Sequence, residues 1–139
     1  SSTAGGIVGT SSMSIIINCQ VNGVIKAQSN VGGIIASNNY GYIQNCSFNG
    51  TLVSVKKEGV TTISSYGVGG IVGYSGGYPT DKTVEGIYDC IVTAIIESEY
   101  PAGGIAGSIE RYTITNSNFT GTINGESSDV LIGFNRYSW

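Results

Sequence analysis

One phrase recurs along the chain: "AGGIVGTSS" from Ala4, "VGGIIASNN" from Val31, "VGGIVGYSG" from Val68 and "AGGIAGSIE" from Ala102. Four near-copies imply one structural unit built four times, and nothing else in the sequence constrains the fold as strongly. The second glycines, Gly6, Gly33, Gly70 and Gly104, stand 27, 37 and 34 residues apart. A second phrase follows each: "IINCQVNGVI" from Ile16, "IQNCSFNGTL" from Ile43, "IYDCIVTAII" from Ile87 and "ITNSNFTGTI" from Ile114. These align without gaps. Ile16, Ile43, Ile87 and Ile114 open the phrase. Asn18, Asn45, Asp89 and Asn116 come third, and Cys19, Cys46, Cys90 and Ser117 fourth. Val21, Phe48, Val92 and Phe119 are sixth, Gly23, Gly50, Ala94 and Gly121 eighth, and Ile25, Leu52, Ile96 and Ile123 close it. The unit is about 27 residues long. Two surpluses interrupt it: ten residues within "VSVKKEGVTTISSYG" and seven within "YSGGYPTDKTVEG".

A unit this short cannot bury its own apolar face, so neighbours must stack. Cys19, Val21, Gly23 and Ile25 alternate with Gln20, Asn22 and Val24, which is the period of a strand. A helical repeat would be penalised by the 22 glycines. The expected fold is all-β: a parallel β-solenoid, or β-helix, of about four coils. Its coils start near residues 4, 31, 68 and 102, two loop or hairpin insertions interrupt it, and it forms one domain over 1–139. Successive coils would lie about 4.8 Å apart, with like residues in ladders along the axis. Ile16 lies three residues before Cys19, which breaks strand parity although both are apolar. The chain must therefore bend at Asn18, Asn45, Asp89 and Asn116, types that tolerate left-handed backbone. The glycine pair serves a similar bend or leaves room for close packing.

The length of 139 residues fits one domain. Charged residues are 11% of the chain and the formal net charge is −3, with no basic run beyond Lys56-Lys57. Both nucleic-acid binding and attachment to an anionic membrane need clustered positive charge, so both are disfavoured. No apolar run is long enough to insert as a membrane-spanning helix. The chain begins at Ser1 without a Met or a basic-then-apolar leader. A removed signal and a piece of a longer protein are both compatible with that start.

The paired phrases resemble the GLUG motif: a Gly-Gly-aliphatic-x-Gly run, then an aliphatic-x-Asn-small segment ending near a glycine. The resemblance covers residues 4 to about 125. "VLIGFNRYSW" from Val130 resembles a decayed fifth copy, a degenerate terminal turn over 130–139 suited to capping the C-terminal end. The chain departs from the usual pattern in its two insertions and in having cysteine in three copies. The resemblance implies an extracellular or cell-surface location in a bacterial protein, as a stalk or binding segment of the adhesin type.

Candidate chemistry is sparse. There is no histidine, which removes the commonest general base and most zinc sites. Cys19, Cys46 and Cys90 share a column with Ser117, which favours reduced, buried thiols over disulfides or metal. Solenoid glycan hydrolases or lyases use two carboxylates at a defined separation. The candidates are Asp81, Glu85, Asp89, Glu97, Glu99 and Glu110, and none forms a recognisable pair. "DKTVEG" offers too few oxygens for calcium. No catalytic residue, metal or cofactor is assigned, and no enzyme is expected. The sequons at Asn45, Asn49 and Asn118 are what Asn- and Thr-rich composition supplies by chance.

Two surfaces are candidates for contact. Val8, Ile35, Val72 and Ala106 directly follow inward isoleucines, so parity points them outward. They would form a packing or assembly ladder, covered either by a neighbouring segment or copy or by the protein's own insertion. Tyr66, Tyr74, Tyr78 and Tyr100 cluster in and near the insertions, with Pro79, and tyrosines suit protein or carbohydrate contacts. The first coil starts at Ala4, with no room for an N-terminal cap. The functional reading is a structural or ligand-binding repeat segment of a secreted or surface protein. Its partners would be other segments of the same protein or other copies of it, or a host protein or glycan. A self-assembling filament subunit stacking end to end is the alternative, and a solenoid glycan hydrolase or lyase is a distant third.

Overall fold

The structure is a computed structural model and describes residues 3–56, 58–59, 66–76 and 86–135. The described chain is all-β, wound as a parallel solenoid of three sheets. Each coil opens on a two-residue strand: β1 (Ala4–Gly5), β4 (Val31–Gly32), β7 (Val68–Gly69) and β11 (Ala102–Gly103). After a bend comes the second side, made of β2 (Val8–Ile17) and β5 (Ile35–Gln44). In the later coils this side is split into β8 (Val72–Gly76) with β9 (Gly86–Tyr88), and β12 (Ala106–Ile109) with β13 (Ile114–Thr115). The third side is β3 (Gln20–Ala27), β6 (Ser47–Ser54), β10 (Ile91–Ser98) and β14 (Asn118–Ile123).

The repeat columns read from the sequence are the register of these sheets. Ile16, Ile43, Ile87 and Ile114 pair in succession. So do Val21, Phe48, Val92 and Phe119, and then Ile25, Leu52, Ile96 and Ile123. Ile34, Ile43, Phe48, Leu52, Ile71, Ile87, Ile96 and Ile105 fill the interior and are essentially inaccessible. Burial is deepest in the middle coils. In one column Val21 is half-buried, Phe48 and Val92 are each 1% exposed, and Phe119 is 7% exposed. A coil is dry only when another lies on both of its sides, which is why the unit must be repeated.

The expected outward ladder is not outward. Ile35, Val72 and Ala106 are fully buried, and Val8 is half-buried against the same core. The hydrogen bonds give the reason. The N–H groups of Ile34 and Ile35 both reach the Ile71 carbonyl, at 3.1 and 3.0 Å. Those of Ile7 and Val8 both reach Ile34, those of Ile71 and Val72 both reach Ile105, and those of Ile105 and Ala106 both reach Leu131. No residue is extra at this point, since Val31 lies on Val68 and Ile35 on Val72 at one offset; the chain bends at Gly33-Ile34 between the first and second sides. The bend resets the alternation, so two consecutive aliphatic residues per coil join the core and parity counted across it fails.

The glycine pair follows from the narrow bore of the coil. A Cβ on Gly33 would overlap the Gly70 carbonyl and the Phe48 ring. Gly6 meets Gly33 and Val21 in the same way, Gly70 meets Gly104 and Val92, and Gly104 meets the Phe119 ring. The second glycine thus makes room for the Val/Phe column on the opposite side.

The two insertions fall largely at residues 57, 60–65 and 77–85, which lie outside the described residues, as do Tyr78 and Pro79. On both sides the ladder resumes in register. Ser54 pairs with Ser98, Val68 pairs with Val31, and Ile87 pairs with Ile43. Beyond the fourth coil, β16 (Ile132–Asn135) pairs in parallel with β12, so residues 131–135 extend the second side by one layer. Before it, β15 (Glu126–Ser128) turns back antiparallel on β14 through Asn124 and Gly125, at φ 51° and 83°. Positive φ at both central residues is the tight hairpin geometry that Asn-Gly favours.

Candidate functional site

The corner between the second and third sides carries a polar column repeated in every coil. Asn18, Asn45, Asp89 and Asn116 all sit left-handed, at φ 59°, 53°, 54° and 48°. Their side chains form an exposed ladder. The Asn45 amide donates to Asn18 Oδ1 at 2.7 Å, and the Asn116 amide donates to Asp89 Oδ1 at 2.7 Å. The left-handed backbone is tolerable here because short polar side chains stabilise it locally. Asn45→Gly is therefore expected to cost only a few tenths of a kcal/mol, whereas Asn45→Ala should cost about 1–2 kcal/mol. Urea denaturation of the two variants measures the difference.

Inside the same corner lies the cysteine column. All three thiols are free, with Cys46 and Cys90 buried and Cys19 half-buried. Three of the four side chains do the same double task, and Cys19 does its first half. Cys46 and Cys90 donate S–H to the carbonyl two residues back, Gln44 and Tyr88, both at 3.3 Å. Cys19 does so to Ile17 at 3.5 Å, and Ser117 to Thr115 at 3.0 Å. Ser117 Oγ also accepts the Cys90 N–H from the coil before, at 3.1 Å. The amides of Cys19 and Cys46 face the sulfurs of Cys46 and Cys90 in the same way. The column thus requires a small side chain that can both donate and accept, which Cys and Ser share. Cys90 is held protonated by its hydrogen bond with Cys46 and by burial, and burial together with the neighbouring Cys46 pushes the Cys19 thiol up. The same hydrogen bond from Cys90 lowers the Cys46 thiol to about 6, against the opposing effect of burial. Cys46 is thus the one thiol of the column shifted toward the thiolate, and it is buried. Cys90→Ser should stay within about 1 kcal/mol of the parent. Cys90→Val strands the Cys46 amide, while the Tyr88 carbonyl keeps the Asn45 N–H at 3.0 Å, and should cost about 1–3 kcal/mol more. Thermal or urea unfolding distinguishes the two.

The tyrosines sort differently from the sequence expectation. Tyr100 is 4% exposed; its hydroxyl donates to the Gln28 carbonyl at 3.0 Å and its ring packs on Tyr66 at 5.3 Å between centroids. It is a brace between coils rather than a contact surface. Tyr66 and Tyr74 are half-buried. The aromatic pair that does face the surface is one the sequence reading passed over. Tyr42 and Tyr88, both half-exposed, lie 5.1 Å apart between centroids at a 33° tilt. Beside them the Gln44 amide donates to Asp89 Oδ2 at 3.4 Å. The available signal was adjacency: Tyr42 precedes and Tyr88 follows an opening isoleucine, so both project from the corner strand.

The carboxylates do not converge among the described residues. Asp89 belongs to the corner ladder. Glu110 forms an ion pair with Arg111 at 2.8 Å. Glu99 accepts the Lys56 N–H at 2.7 Å in an open groove it shares with Glu97 and Asn124. Asp81 and Glu85 lie outside the described residues. No group of three or more His, Cys, Asp or Glu residues suited to a metal occurs among the described residues.

The GLUG motif family matches residues 100–124. The chain carries a GLUG motif. The matched stretch runs from Tyr100 through β11, β12, β13 and β14 to the Asn124 turn, which is one complete coil. The GLUG unit is thus one turn of the solenoid: a glycine bend, a second side, a left-handed Asn corner and a closing strand. The first three coils repeat the same columns and hydrogen bonds as the matched GLUG coil. No curated protein matches the chain. No solved structure matches it either.

Proposed function

We propose that this chain is a structural and ligand-contacting repeat segment of a secreted or cell-surface protein, of the adhesin stalk type. The observation that carries the reading is the unbroken register of GLUG-type coils. Such a stack holds its length through backbone ladders and leaves its corners and loops free to vary. The Tyr42–Tyr88 pair with Gln44 and Asp89 is the contact surface that best fits a glycan or an extended peptide. It offers two ring faces beside an amide and a carboxylate. A net charge of −3 fits neither nucleic acid nor anionic lipid as partner.

Two measurements test the reading. Antibodies against the chain should label intact producing cells or their medium; labelling only after permeabilisation overturns the location. An immobilised panel of glycans and extracellular matrix proteins should yield a ligand whose binding drops at least tenfold in Tyr88→Ala. Binding unaffected by Tyr88→Ala moves the contact surface away from the corner.

A further inference from the structure

We propose that Cys46 and Cys90 bind one soft monovalent cation of the copper(I) class, held in line between their two sulfurs along the axis of the stack. Cys46 lies directly on Cys90: Gln44 pairs with Tyr88 two residues before them, and Ser47 pairs with Ile91 just after. The Asn45 N–H donates to the Tyr88 carbonyl at 3.0 Å and the Ile91 N–H to the Cys46 carbonyl at 3.1 Å, which holds the register on either side. Both thiols are free and buried, and their sulfurs lie close enough to share a hydrogen bond. The pair belongs to the second and third coils, each with a described coil on both of its sides.

The spacing decides what the pair can hold. Parallel neighbours stand about 4.8 Å apart, with their side chains pointing the same way. A disulfide needs its Cβ atoms at about 3.8 Å, so closing one would pull the two coils together. A thiolate bond to zinc, a filled-shell d10 ion like copper(I), is about 2.3 Å long, and two in line span about 4.6 Å. Tetrahedral ions need more ligands than this column provides, since no group of three or more His, Cys, Asp or Glu converges among the described residues. Two sulfurs alone suit a linear ion, and thiolates select soft ions such as copper(I).

The hydrogen bonds around the sulfurs suit the loaded site. The Cys19 amide faces the Cys46 sulfur and the Cys46 amide faces the Cys90 sulfur. N–H groups aimed at a sulfur favour the thiolate, the form that binds a metal, and fix its direction. Binding breaks two S–H bonds and forms two S–metal bonds. Both protons leave to solvent, the ion keeps its oxidation state, and the single negative charge left on the pair is met by those amides. Hydrogen bonding alone does not ask for sulfur, because Ser117 performs the same donor and acceptor task with a hydroxyl. Cysteine adds a soft donor atom. Asn45 and Asp89 beside the pair are exposed, so the sulfurs lie one residue beneath the corner surface, next to a carboxylate that attracts cations. The site is independent of the surface-segment reading.

Anaerobic titration of the full chain with copper(I), set against a chromophoric copper(I) chelator, tests the proposal. One equivalent should bind, and the thermal unfolding midpoint should rise as the site fills. Cys90→Ser keeps the hydrogen bonds and should bind roughly a hundredfold more weakly, without the rise in midpoint. Cys46→Ser makes the same comparison from the other sulfur, and far-UV circular dichroism checks that each variant folds. Cys19→Ser should stay within about threefold of the parent. Copper-edge X-ray absorption should show two sulfur neighbours, and silver(I), of the same charge and shell type, should compete for the same equivalent. Binding by Cys90→Ser and Cys46→Ser equal to the parent overturns the proposal. So does a midpoint that falls on loading, because the coils then come apart to take the ion. Nitrogen or oxygen in the copper shell also overturns it.

Discussion

Gly33→Ala is expected to destabilise the chain by about 3 kcal/mol or more, enough to leave it largely unfolded at ambient temperature. The added methyl would overlap two things that cannot both move. One is the backbone carbonyl of Gly70, fixed by the neighbouring coil, and the other is the Phe48 ring, fixed by the core. Gly9→Ala supplies the control, since nothing lies within reach of a Cβ at that exposed position. It should stay within about 0.5 kcal/mol of the parent. Urea denaturation followed by circular dichroism measures both. Equal midpoints for the two variants would mean that the glycine bend is not packed as described.

Phe48→Ala should cost about 3–5 kcal/mol, the range for removing a buried aromatic from a core that cannot collapse around the gap. Collapse is blocked because the ring sits between Val21 and Val92 in its column and against Gly33 across the bore. The same deletion at the open end should be far milder. Val21→Ala removes fewer atoms from a half-buried site and should cost about 1 kcal/mol. A steep rise from Val21 to Phe48 is the signature of a stack whose stability resides in contacts between coils. Equal losses at both positions would contradict it.

The columns were legible because a solenoid writes its register into the sequence: residues that stack must be alike, so aligned copies become ladders. The Asn corner was legible for a similar reason, since few side chains tolerate a left-handed bend. What escaped was anything that depends on a local break in alternation. Parity counted through Ile34 and Ile35 assumes an even strand, and the bend between two sheets at that point turns both residues inward. The donor-and-acceptor role of the cysteine column was hidden because it joins neighbouring coils, although Ser117 hinted at it. Tyr100 read as a surface tyrosine because its partner, the Gln28 carbonyl, lies 72 residues away. The hairpin at Asn124-Gly125 was open to reading, as that dipeptide after a strand is among the strongest turn signals. It belongs to none of the four copies, so aligning the copies does not reach it.

The two interruptions of the ladder have a practical consequence. Ser54 and Val68 are each pinned by paired strands on either side, and so are Val72 and Ile87. The chain between them can therefore lengthen at little thermodynamic penalty, since closure entropy grows only slowly with length. Foreign peptides grafted between Val55 and Tyr66, or between Gly76 and Gly86, should be carried without disturbing the winding.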